Sequence, residues 1–528
     1  MPLTELLLEQ LSFTGMRDSR DPPTADPRKA FLLQNVYPQD EAFGGGAVGR
    51  PGFQLTEDNQ LGSSGKRTTQ GSYQYTQLDG TEFTITIVGG QFYTYNWGTR
   101  AWSEAVNAAA FSSASITLSA TARCYFATFA NEVLVSDGTN TPFTWDGTTN
   151  GGLTKLTNAP VFFGQPVIHY AKIMGIKNTE RSAIVWSEEA SANTGYEAGG
   201  FNNAWTLGQT DQEALFALYA TNEVLYYFRS RSIGAISGAV TVDFKNSGTR
   251  EGVSETVGTE SPAGVTGHEE DVYFIDADAR MRTIRTGIGV VPDFWQDSRN
   301  TVARFPRAQI ADWVAVDYTP AQLILFGVTE LGDTDPGLIL TVAYSTGTPT
   351  FAGVWQGYTF QALDMVKNNS LEPTLLHGST DGYLYDHGNP EGTLWDDELK
   401  SGTLAIDHAV DGSHLGFDTK VEKHFDRIDM SFRVPTNLTS ATVKLTTPHA
   451  TTTSDAFSLT GGFSLWDIAK WDTDVWSVPG GELHQAVGMA GYGRWGRPGV
   501  RHSTLTEQFG LNGWTITAYE DGADASAQ

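Results

Sequence analysis

Leu215-Phe216-Ala217-Leu218-Tyr219, Ala220-Thr221-Asn222-Glu223 and Val224-Leu225-Tyr226-Tyr227-Phe228 read as strand, turn and β-branched, aromatic return strand. The pattern repeats further on. Val272-Tyr273-Phe274-Ile275 leads through Asp276-Ala277-Asp278-Ala279 into the alternating Met281-Arg282-Thr283-Ile284. Two small antiparallel sheets are therefore expected within 213–285. The polar stretch from Asp243 to Gly267 is expected to cross between them over the surface.

Outward from this stretch the same unit recurs. Phe83–Val88 turns at Gly89-Gly90 into Gln91–Tyr95, and Glu132–Ser136 turns at Asp137-Gly138 toward Phe143-Thr144-Trp145. Further units are read at 169–187, at 313–344 and at 374–385. Sheet units thus recur at intervals of roughly 40–60 residues, the spacing of propeller blades, without a repeated Trp-Asp or kelch-type signature. The fold class expected is all-β. An irregular β-propeller over 71–398 is expected rather than stacked sandwiches. A separate β-sandwich is expected over 399–528, where Phe425–Phe432, Thr442–Leu445 and Gly513–Tyr519 alternate and the residues after Asp521 read as a loose acidic tail. Residues 1–70 are broken by Asp21-Pro22-Pro23, Asp26-Pro27 and Gly44-Gly45-Gly46 and read as an extended arm. Such an arm wraps on a neighbour or drapes over its own domain. On the first reading, removing residues 1–60 leaves a folded remainder that no longer assembles.

Composition narrows the function. The 528 residues carry 34 basic against 61 acidic side chains, a formal charge of −27, with 40% hydrophobic content and 57 glycines. That suits a β-rich globular chain and argues against a protein that grips nucleic-acid phosphates, which needs clustered Lys and Arg. Cys124 is the single cysteine, so neither an intrachain disulfide nor a Cys-rich zinc site is available, and Cys124 reads as a small buried hydrophobe. The N-terminal stretch lacks a basic n-region, and no apolar run of about 18 residues occurs, so neither a secretory signal nor a membrane helix is expected.

Candidate chemistry is sparse. Asp276/Asp278 and Asp333/Asp335 offer oxygen ligands without a calcium-loop pattern and read as turn residues. Glu188-Glu189 and Glu269-Glu270-Asp271 are the carboxylate clusters relevant to glycoside hydrolysis, which needs two carboxyls across a cleft. No His-Glu-x-x-His, Gly-x-Ser-x-Gly or phosphate-binding loop occurs, so the expectation is no enzyme, no cofactor and no metal. Trp466, Trp471 and Trp476 recur at a spacing that suits neither a strand face nor a helix face, which points to contact surfaces or a core-filling loop. Arg494, Trp495, Arg497 and Arg501 form the one compact basic patch, suited to an acidic partner or to capping the sandwich.

The 222–228 return strand, Ser261-Pro262-Ala263-Gly264-Val265 leading into Asp271–Asp276, and Asn35-Val36-Tyr37-Pro38 followed by Gly49-Arg50-Pro51-Gly52-Phe53 carry a resemblance. On these residues the chain resembles the tail-hub or nozzle proteins of short-tailed bacteriophages, the packaged-DNA stabilisation proteins. The resemblance implies a virion protein, a homohexameric ring beneath the portal and adaptor that retains DNA until ejection. Its implied neighbours are the portal-adaptor protein and tail fibre or needle proteins, with DNA passing the lumen without tight binding and no membrane. It also implies a platform built from the N-terminal arm and the C-terminal domain. Tyr37, Arg50, Trp466, Trp471, Trp476, Arg494, Trp495, Arg497 and Arg501 are the expected subunit contacts. The alternative is a propeller that binds or cleaves glycans, such as a receptor-binding tail protein. That protein should bring aromatic and carboxylate groups into one pocket.

Overall fold

The computed structural model of the chain describes residues 4–10, 12–13, 15–17, 28–39, 46–156, 158–187, 203–207, 213–238, 248–285, 289–290, 301–344, 349–388, 394, 396–415, 421–433, 438–459 and 482–520. Almost every regular element among them is a strand. The 215–220 and 224–229 strands pair as the sequence predicts, with Leu218 opposite Tyr227, and Asp271–Ile275 pairs with Met281–Arg285. Each pair extends to four strands. Ile233–Ser237 and Thr249–Ser254 complete one sheet, and Val265–His268 and Gly289–Val290 complete the next. The segment expected to cross the surface therefore contains two strands. Thr249–Ser254 was illegible as a strand because it lies on an outer edge, mostly exposed, where nothing selects apolar side chains.

Seven such units follow one another as antiparallel meanders, beginning at Thr69, Tyr125, Phe162, Leu215, Val265, Val314 and Ala362. The first strand of each packs beside the first strand of the next, and Ala362–Lys367 returns to Thr69–Thr76. Each sheet is buried on both faces, which explains runs too apolar to alternate. Leu225 and Tyr227 enter a core shared with the third sheet, while Tyr226 and Phe228 enter one shared with the fifth. Val133 and Val135 face the first sheet, and Leu134 faces the third. Successive sheets share a core all the way round, and Val366, Leu376 and Leu384 of the seventh meet Val88, Tyr95 and Trp102 of the first.

The last two sheets are completed from elsewhere in the chain. Phe53–Leu55 supplies the fourth strand of the seventh sheet, antiparallel to Leu384–His387, and the hairpin of Asp396–Leu399 with Gly402–Ala405 extends it. The expected boundary at 398/399 falls inside that hairpin. Leu32–Gln34 lies parallel to Thr350–Gln356 at the edge of the sixth sheet and carries it onward into His408–Asp411, Arg497–His502, Leu438–Thr446 and Thr451–Thr453. Gly353, at φ +144°, permits this close approach, since a Cβ there would stand 2.7 Å from the Leu33 carbonyl oxygen. A further sheet contains Glu482–Gly493, Lys423–Arg433, Gly510–Glu520, Ala47–Gly49 and Val36–Pro38, with Thr4–Gln10 beside Gly510–Glu520. Its Ile428, Met430 and Ile516 share a core with Val443, Val500 and Leu33 of the extended sixth sheet.

The N-terminal arm is thus woven into its own chain. Its described strands are two to seven residues long, too short to show periodicity, and all but the Gly15–Met16 and Lys29–Ala30 pair enter sheets that contain strands hundreds of positions away. Of the two readings of the arm, these pairings accord with an arm laid on its own chain.

Candidate functional site

Two concavities stand out among the described residues. The first, of about 640 Å3, lies where the first strands of all seven sheets converge: its wall takes Tyr73, Phe126, Val167, Leu218, Val265, Val314 and Leu363 from successive sheets. Two charged side chains enter this space. Asp364, on the first strand of the seventh sheet, accepts the Ser72 N–H through Oδ2 at 2.9 Å. Burial pushes its carboxyl up to about 6, against the opposing pull of that hydrogen bond and of Arg123. Arg123 stands just before the first strand of the second sheet. Its Nη2 reaches across to the carbonyls of Gln361 (2.8 Å) and Asp312 (3.3 Å), which precede the first strands of the seventh and sixth sheets. Enclosure also pushes the Tyr125 phenol up to about 12 and the Cys124 thiol well above its usual value.

The second concavity, of about 930 Å3, opens between the sixth and seventh sheets and the 396–405 hairpin. Its floor carries Arg50 and Asp397, and its walls carry Tyr383 and Tyr385 with Asp333, Asp381 and Asp407. Behind the floor, His377 Nδ1 and His387 Nε2 are 2.9 Å apart, with Tyr358 and Phe53 packed on the pair. Burial drives His377 down to about 3 and His387 well below its ordinary value, so both rings are neutral and one donates to the other.

The expected contact residues fare differently. Tyr37 is buried beside Trp355 in the core between the sixth and seventh sheets. The Arg50 side chain has no exposure, since Asp397 draws it inward. Both side chains are thus buried within the chain itself. Arg501 pairs with Asp411 at 2.9 Å, and Arg497 lies over the Phe31 ring at 3.9 Å. Half-buried Trp495 meets His414 edge-on at 4.3 Å, and Arg494 is exposed. Of the basic patch, Arg497 thus joins the C-terminal strands to the arm, while Arg501 and Trp495 meet residues of the C-terminal part itself. Trp466, Trp471 and Trp476, with Glu188 and Glu189, lie outside the described residues.

The turn reading of Asp276 holds. Its Oδ1 accepts the Asp278 and Arg280 backbone N–H groups at 2.8 and 2.9 Å, and its Oδ2 accepts Arg282 Nε at 2.7 Å. Asp335 accepts from Gln361 and Thr334, and no group of three or more His, Cys, Asp or Glu able to hold a metal occurs among the described residues. No helix there is long and apolar enough to cross a membrane. Sequence reasoning missed Asp364 and Arg123, whose one local signal is a charge at the edge of an apolar run. It also missed His268, which lies 2.9 Å from Asp317 and stacks on Tyr344 at 4.0 Å.

No protein family matches the chain, and no curated protein matches it. Among solved structures it is similar to the computationally designed protein Ika8, at 11% identity and a TM-score of 0.35, over 64% of this chain and 99% of that one. It is also similar to the AfRom2 CNH domain, at 10% identity and a TM-score of 0.38, again over 64% of this chain and 99% of that one.

Proposed function

We propose that the chain is a structural subunit of a bacteriophage tail or neck. Six copies would form a ring below the portal and adaptor that closes the DNA channel until ejection, in contact with the portal-adaptor protein and tail fibre or needle proteins. In this reading the seven meanders are the blades of a β-propeller, closed by Phe53–Leu55 in the manner of a clasp. The eighth sheet and the extension of the sixth make a β-sandwich platform. The observation that carries the reading is the ten-stranded sheet running without interruption from the sixth meander through Leu32–Gln34 into the C-terminal strands. A plug held against packaged DNA must transmit load without hinging, and hydrogen bonding across one sheet joins the two bodies rigidly. The acidic surplus suits the same role, because a basic wall would hold the duplex through many phosphate contacts, whereas an acidic one repels it within a Debye length of about 8 Å.

Native mass measurement of the purified protein, alone and with the adaptor, tests the assembly, and imaging of the particle tests its position. A hexamer in the neck is expected, together with no duplex-DNA binding at moderate salt. A monomer that never enters a particle, or micromolar binding of duplex DNA at that salt, would overturn the reading. A second reading, glycan binding, is favoured by one observation: Tyr383 and Tyr385 converge with Asp333, Asp381 and Asp407 on the larger cleft. Retention on immobilised host-surface glycans, lost in Asp381→Ala, would select it.

A further inference from the structure

The smaller cavity holds two charged groups whose bonding capacity is not used up. Asp364 Oδ1 meets no hydrogen-bond donor among the described residues, Oδ2 having taken the Ser72 N–H. Arg123 spends only Nη2 on the Gln361 and Asp312 carbonyls, and its Nε and Nη1 donors meet no acceptor among the described residues. The two make no direct ion pair with each other. Both side chains are half-buried, so their free atoms face the open cavity, where complementary charges on an occupant would replace water.

Between them the wall mixes apolar side chains, Val167, Ile168, Leu218, Val265 and Val314 with the rings of Tyr73 and Phe126, with the polar Thr128 and Gln165. The volume of about 640 Å3 lies within the range of small-molecule sites. We propose that this central cavity binds a small zwitterion, its ammonium on Asp364, its carboxylate on Arg123 and its apolar body along the strands between. The flanking aromatic faces favour the ammonium end, since a cation gains from a ring quadrupole in a dry site. Arg123 also bridges the second, sixth and seventh sheets, so an occupant held by it adds a tie across the ring. A lone alkylamine or a lone carboxylate would satisfy one charge and leave the other exposed to desolvation. The upward displacement of Asp364 is consistent with a carboxylate awaiting a cation. The inference does not depend on the assembly reading, and failure of either leaves the other intact.

A free amino acid and the end of a short peptide share this chemistry, and titration calorimetry on the full chain separates them. The probes are 4-aminobutanoate, 6-aminohexanoate and triglycine, with butylamine and butanoate as the two halves. One zwitterion is expected to bind at least about tenfold more tightly than either half. Preference for an aminoalkanoate identifies a free amino acid, and preference for triglycine a peptide end. Asp364→Asn should weaken the zwitterion and butylamine by about tenfold and leave butanoate unchanged. Arg123→Gln should do the converse. Because Arg123 also joins three sheets, Arg123→Lys, which keeps the charge, is the control for folding and should retain part of the affinity. Thermal melting of every variant shows that the ring is intact. Absence of binding by all probes at about 10 mM, or equal affinities in wild type and both neutralised variants, would overturn the proposal.

Discussion

Arg50 and Asp397 meet in a two-pronged ion pair across 347 positions of sequence, with the Arg50 side chain at 0% and that of Asp397 at 7% exposure. Arg50 Nε also donates to Asn35 Oδ1 at 3.1 Å and Nη1 to the Pro51 carbonyl at 3.1 Å, so the guanidinium is bonded on every side. The pair locks the arm to the 396–399 strand at the place where the seventh sheet is completed. Desolvation acts to lower the Arg50 pKa, the Asp397 carboxylate acts to raise it, and the carboxylate prevails.

Removing one partner leaves the other charge buried. Arg50→Met or Asp397→Leu alone should cost about 3–5 kcal/mol in urea denaturation, and the double replacement should recover much of that loss. Single variants within about 1 kcal/mol of wild type would mean that water reaches the pair.

Deletion of residues 1–60 should abolish cooperative unfolding, because it removes Leu32–Gln34 from the middle of one sheet and Phe53–Leu55 from the middle of another. Circular dichroism melting reads this directly. A truncated protein that melts sharply near the wild-type temperature would contradict the placement of the arm.

Acid should weaken the protein through its buried histidines. His377, at about 3 when folded, binds its proton near pH 6.5 once unfolded, so its contribution is complete above about pH 6.5 and is lost as pH falls toward 3. His387 shifts in the same direction. Compared with His377→Asn, the wild type should lose about 2 kcal/mol more between pH 6.5 and 5, read from denaturant midpoints at each pH. Raised carboxylates such as Asp386 act in the opposite sense over the same window, and they largely cancel in this difference.

Cys124 is 4% exposed and its thiol is pushed well above the normal range by burial. A disulfide reagent at pH 8 should label it only on unfolding, at the rate of opening rather than at the rate of a free thiol. Immediate labelling of the folded chain would show that the central cavity breathes open.

The hairpins were legible in the sequence because residues such as Leu225, Tyr226, Tyr227 and Phe228 are buried on both faces, so their strands stand out as apolar runs between turns. The edge strand Thr249–Ser254 was not, since most of its side chains face solvent, and Leu153–Lys155 was not, being three residues long and half-buried. Phe53–Leu55 is three residues long and carries no period, although it completes a sheet. The cavity was invisible for a different reason. Its wall is assembled from seven separated segments, and nothing local distinguishes Asp364 in Ala362-Leu363-Asp364-Met365 from a solvated strand residue.

The pairing of Phe53–Leu55 with Tyr385–His387 also sets an order of events during synthesis. Phe53–Leu55 leaves the ribosome well before its partner, which emerges roughly 330 residues later, tens of seconds at about 5–20 residues per second. Throughout that interval an apolar edge is without its mate, while the intervening meanders form one by one from local contacts. The nascent chain is therefore a growing, open row of sheets until Tyr385–His387 emerges, and its exposure to misassembly is greatest just before that strand pairs with Phe53–Leu55.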